Sequence, residues 1–189
     1  MNAGSCDGKI LVERAAAELK IDLAALIASC SLWVHPDAVA FLTARRGHAV
    51  WFANTRRKRP GEARRVHGED GCILDDNNKA NLAIKSAIFR NRTDCLNMHV
   101  CHIWPRTCYD PRYHTALPNL VLIPAALSAL TDYDTHIEQC LKFRSFELYG
   151  WYPGAEAQPV RPAGYPDIDK WRGFQDVDGQ IWARLKALT

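Results

Sequence analysis

The chain has no Cys-x-x-Cys pair, no internal repeat and no low-complexity tract. The first absence argues against a zinc-knuckle scaffold, which draws paired thiolates from closely spaced cysteines. The other two argue against a solenoid and a disordered linker. No apolar run reaches the roughly 20 residues that would span a bilayer, and the opening MNAGSCDGK has no apolar signal core. The 7 cysteines are odd in number and irregular in spacing. They read as reduced thiols of a cytoplasmic protein, most of them buried as small hydrophobes.

What is present is ordinary globular composition. The 189 residues are 48% hydrophobic and 24% charged, enough for one sizeable core. Net charge is only +3, but its distribution is uneven. Arg45, Arg46, Arg56, Arg57, Lys58, Arg59, Arg64 and Arg65 crowd one stretch in which Glu62 is the single acid. Trp51 and Phe52 precede the densest part. Arginine suits phosphate oxygens and base edges, so this stretch is a candidate nucleic-acid interface. The alternatives are a solvated loop, or a patch that pairs with Asp75, Asp76 and the acidic C-terminal part.

Apolar spacing predicts helix from Ile10 to Ser29, with Asp22 able to cap a second segment. Another helix is expected from Pro36 to Arg46, stopped by Gly47. Ala49–Phe52 is a strand candidate, and Asn54–Gly71 a loop or hairpin arm. Asp75-Asp76-Asn77-Asn78 offers caps for a helix from Lys79 to about Phe89. It lacks the alternating ligands of a calcium loop. Strands are expected over Asn97–Ile103 and Asn119–Ile123, with Pro124 opening a helix to about Leu130. Asp132 or Asp134 could cap a further helix to Leu148. Beyond Gly150 a Pro-rich segment would wrap the surface, anchored by Trp151, Tyr152, Tyr165 and Trp171, with a closing helix over Asp178–Leu188. The fold class is α+β. The chain divides into a helical and basic part (1–96), a central core (97–132) and a wrapping segment (133–189), all in one compact unit.

The chemistry concentrates in Val100-Cys101-His102-Ile103-Trp104-Pro105 and Asn119-Leu120-Val121-Leu122. An apolar strand ends in a histidine, a polar loop follows, and an asparagine opens a second apolar strand. A neutral imidazole can take a proton from water. An asparagine amide can hold the loop by bonding its backbone. Alone, His102 would read as a core histidine and Asn119 as a turn residue.

This strand–loop–strand–helix order resembles the HNH, or ββα-metal, endonucleases over roughly Met98–Asp132. The resemblance implies a ββα-metal core that hydrolyses DNA. His102 would act as the base and Asn119 as the loop-fixing amide. The metal-facing positions would be Cys101, Ser128 and Asp132. A divalent cation, magnesium or manganese, is implied; zinc would suit the softer Cys101. Asp110 or His114 of the loop could supplement the set. Cutting both strands would suit a homodimer. The pattern departs from the family at Cys101 and Ser128, where better ligands are usual. A DNA-binding module that does not cut, or a structural zinc site using Cys95, Cys101, Cys108 and a histidine, therefore stays open.

Overall fold

The computed structural model describes residues 8–62, 67–89 and 95–174. Arg64, Arg65 and the helix expected over Asp178–Leu188 lie outside the described residues. The architecture is α+β, and no described helix is long and apolar enough to cross a membrane.

The N-terminal helical stretch is two helices. α1 (Gly8–Glu18) ends where Lys20 adopts a left-handed φ of 56°. α2 (Leu23–Cys30) begins at Asp22, whose carboxylate accepts the Ala25 N–H. α3 (Pro36–Arg46) starts on its proline and closes at Gly47, which takes φ 72° and donates its N–H to the Thr43 carbonyl. A left-handed residue there would strain any side chain with a Cβ.

Ala49–Phe52 is not a sheet strand. It runs instead along the central loop: Val50 bridges Ala116, and Trp51 N–H donates to the Thr115 carbonyl at 3.0 Å. Phe52 N–H donates to Thr115 Oγ1 at 3.0 Å, and that hydroxyl donates to the Phe52 carbonyl. The basic arm forms a short strand, β1 (Thr55–Arg57), parallel to β2 (Ile73–Asp75). α4 (Asn78–Ile88) follows, its Lys79 N–H held by the Asp75 carboxylate at 2.8 Å.

β3 (Met98–His102) and β4 (Leu120–Pro124) pair antiparallel, with His102 opposite Leu120 and Met98 opposite Pro124. Pro124 therefore ends a strand; it does not open a helix. The chain turns through 125–129 before a single helical turn, α5 (Leu130–Tyr133), and then α6 (Thr135–Tyr149). Asp134 caps α6, accepting from the His136 and Ile137 N–H groups.

β4 divides the core. Leu120 and Leu122 pack with α3 and α4, whereas Val121 and Ile123 pack with α2, α6 and the C-terminal segment. All four are fully buried. A strand covered on both faces reads as a continuous apolar run, and each such side chain contributes about 1.5–3 kcal/mol over its exposed state. The wrapping segment is anchored as expected: Trp171 meets Trp33 edge-on at 5.9 Å, and Trp151 meets Trp104 edge-on at 5.4 Å.

Candidate active site

The β3–β4 hairpin carries a long loop, and Asn119 sits at its closing end, completely buried. Its Oδ1 accepts the Trp104 N–H at 3.1 Å. Its Nδ2 donates to Thr107 Oγ1 at 2.9 Å and to the Tyr113 carbonyl at 3.0 Å. Thr107 in turn donates to the Trp104 carbonyl at 2.6 Å. One amide thus ties the start, middle and end of the loop together.

His102 is the last residue of β3 and is only 9% exposed. Its Nε2 lies 2.9 Å from the His114 carbonyl oxygen. A carbonyl only accepts, so Nε2 carries the proton and the neutral ring keeps its lone pair on Nδ1. Among the described residues Nδ1 has no hydrogen-bond partner. Burial, assisted by the nearby His114, pushes the His102 pKa down to about 3. The ring is therefore neutral at physiological pH.

Beside His102 opens a cleft of about 300 Å³, walled by Arg57, His99, Cys101, Ser128 and Asp132 among others. The three side chains expected to face a metal thus share one cavity with the expected base. They differ in fitness. Burial pushes the Cys101 thiol up to about 11, so at neutral pH it is a protonated, weak ligand. Ser128 Oγ donates to the Ala125 carbonyl and lies 3.1 Å from His99 Nδ1. Asp132 is exposed and is not the helix cap, a role Asp134 fills. Partial burial holds its carboxyl above the usual range, against the opposing pull of Arg57.

Among the described residues, no three His, Cys, Asp or Glu side chains meet closely enough to enclose a metal ion. Besides Cys101 and His102, the donors lining the cleft are the Asp132 carboxylate, the Ser128 and Tyr133 hydroxyls, the Asn77 amide and the His99 imidazole. Such a set suits a hard cation that keeps most of its waters and takes further oxygens from a phosphate. It suits zinc less, because it holds a single thiol. Asp110 and His114 do not supplement it: Asp110 is engaged by Arg112 at 2.6 Å, and His114 by Asp75.

The basic run divides by burial. Arg57 is exposed and reaches the cleft. Arg56 is a correction to the expected interface, since it is 1% exposed. Its guanidinium donates to Asp70 at 2.6 Å, to both Glu62 oxygens at 2.9 and 2.6 Å, and to the Arg57 carbonyl at 3.1 Å. No donor-rich face is left for a phosphate. Arg46 donates to the Val50 and Trp51 carbonyls, and Arg45 lies over the Phe41 ring. Lys58 is half-buried and Arg59 exposed.

Three further residues belong to this region. His99, assigned no role from the sequence, lines the cleft. Asp75, read as a helix cap, also accepts from His114 Nε2 at 2.9 Å. His114, expected as a supplement to the metal set, is wholly buried against His102. Positions 75 and 114 lie too far apart for any spacing rule to join them. No protein-family model, curated protein or solved structure matches this chain.

Proposed function

We propose that this chain is an HNH-type endonuclease that hydrolyses phosphodiester bonds in DNA. The observation that carries the reading is Asn119: one buried amide fixes the β3–β4 loop while the neighbouring strand end sets His102 at the mouth of a polar cleft. A loop rigid at that point holds the imidazole where a water molecule can meet it.

In this mechanism a water enters the cleft and His102 Nδ1 takes one of its protons. The water oxygen bonds to phosphorus as the bond to the departing sugar oxygen breaks, and that oxygen is protonated from solvent. The His114 carbonyl keeps Nε2–H engaged throughout, so only Nδ1 can serve as base. Arg57, on the cleft wall, faces the phosphate charge. A divalent cation, magnesium or manganese, held beside Asp132 and Ser128 would supply Lewis-acid relief of that charge when bound. Arg57 would carry the cleft toward the duplex backbone, and two copies would be needed to cut both strands at one position.

The test is incubation of supercoiled plasmid DNA with the protein and magnesium or manganese. Nicking that stops with chelator and disappears in His102→Ala, with DNA binding retained, supports the reading. A second reading, DNA binding without cleavage, is favoured by one observation: His102 is buried, only 9% exposed, and burial makes an imidazole a weaker base. Salt-sensitive binding with no nicking in either metal would select it.

A further inference from the structure

Asp75 and His114 form a buried pair that the mechanism above does not use. His114 is 0% exposed and Asp75 6% exposed. His114 Nε2 meets Asp75 Oδ2 at 2.9 Å, and the same oxygen accepts the Lys79 N–H at 2.8 Å. The His114 ring lies nearly parallel to the His102 ring, at 14° with centroids 5.1 Å apart. The carbonyl of the same residue receives His102 Nε2–H. His114 therefore touches His102 twice, once through its backbone and once through its ring face.

The other ring nitrogen of His114, Nδ1, is buried without a hydrogen-bond partner. A buried polar atom left unpaired costs stability, and an apolar side chain of similar size would avoid that cost. A residue placed only to fill the core would not need an imidazole there. The one polar contact its ring makes is with Asp75, which stands opposite Arg57 in the β1–β2 pair. Asp75 thus joins the strand that brings Arg57 to the cleft, the first turn of α4 and the loop beneath His102.

We propose that Asp75 and His114 are a positioning couple that fixes the orientation and tautomer of His102. The carboxylate accepts from His114 Nε2–H and stops the ring from turning. The fixed residue then holds its carbonyl on His102 Nε2–H and its ring against the His102 face. With Nε2 committed, the lone pair of His102 stays on Nδ1. A carboxylate orienting one histidine by a hydrogen bond is a common device; here it acts through a second histidine and that residue's own carbonyl. The consequence for turnover rests on the nuclease reading, whereas the consequence for the ring does not.

The experiment uses the full chain with His114→Phe, which keeps a ring in the stack but cannot donate to Asp75. The His102 ring is read by ¹⁵N NMR on the metal-free protein, and kcat and KM are read on supercoiled plasmid with magnesium. The expected result is a single Nε2–H tautomer of His102 in the wild type and a mixture in His114→Phe. The variant's kcat should fall at least tenfold with KM little changed. His114→Gln, whose amide can still donate to Asp75, should recover most of both. Should His114→Phe not fold, Asp75→Ala, which removes the acceptor and leaves His114 in place, is expected to give the same two changes. An unchanged tautomer in a folded variant overturns the proposal, as does wild-type kcat. If the wild type does not cut at all, the nuclease reading fails, and the NMR comparison still decides this one.

Discussion

The Nε2–H of His102 is donated to the carbonyl oxygen of His114 at 2.9 Å, and the two rings stack at 14°. That contact decides which nitrogen of His102 carries the proton. It makes the last residue of β3 dependent on a loop residue twelve positions later.

His102→Ala is expected to lower the plasmid cleavage rate by about 10²–10⁴-fold, the usual contribution of a positioned general base. Affinity for DNA should stay within about twofold, because the ring is buried and offers no charge to phosphate. Nicking rates and gel-shift titrations on the same preparation check both halves.

Asn119→Ala would strip the loop of three hydrogen bonds and leave the Trp104 N–H without its partner, while the Tyr113 carbonyl keeps the Ala116 N–H. Loss of about 1–3 kcal/mol of stability is expected, from a buried donor left unsatisfied. Urea unfolding measures it. Asn119→Asp should be no rescue, because a carboxylate cannot donate to Thr107 or to the Tyr113 carbonyl.

Arg56 and Arg57 are adjacent and should behave oppositely. Arg57→Ala should weaken DNA binding and reduce the slope of log affinity against log salt by about 1, the signature of one phosphate contact. Arg56→Ala should leave that slope alone and lower Tm, because the cation that holds Glu62 and Asp70 is gone. Titrations at several salt concentrations and a thermal melt distinguish the two.

The same ion pair sets a pH dependence. The Arg56 guanidinium, helped by the Arg59 backbone N–H, lowers the Glu62 pKa from 4.5 to about 2. As pH falls, the unfolded chain protonates this carboxyl before the folded one does. The pair's contribution is therefore complete above about pH 4.5 and is lost as pH falls toward 2. Stability measured by urea unfolding from pH 5.5 to 2.5 should fall through that window. In Glu62→Gln the fall should be shallower.

Much of the site was legible because its parts are local. A histidine ending an apolar strand and an asparagine opening the next are bound to meet across a hairpin, because antiparallel pairing puts His102 opposite Leu120. Helix starts at Asp22, Pro36 and Asp134 were legible for the same reason: a cap acts within one turn. The segment after β4 was misjudged because a proline can end a strand as readily as open a helix. The basic run was misjudged at Arg56, since composition counts charges without saying which of them turn inward.

By itself the sequence determined most of the helices and the two strands of the β3–β4 hairpin, and it offered the two residues on which the proposed chemistry turns, because backbone preference and side-chain alternation act over a few residues. Only the tertiary structure decided that Arg56 is enclosed by Glu62 and Asp70 while Arg57 reaches the cleft, and that Asp75 grips His114 beneath His102. Those contacts join residues that are separate along the chain. They exist only once β4 is buried on both faces and the loop is closed over it, and the free energy that selects them comes from packing the whole core.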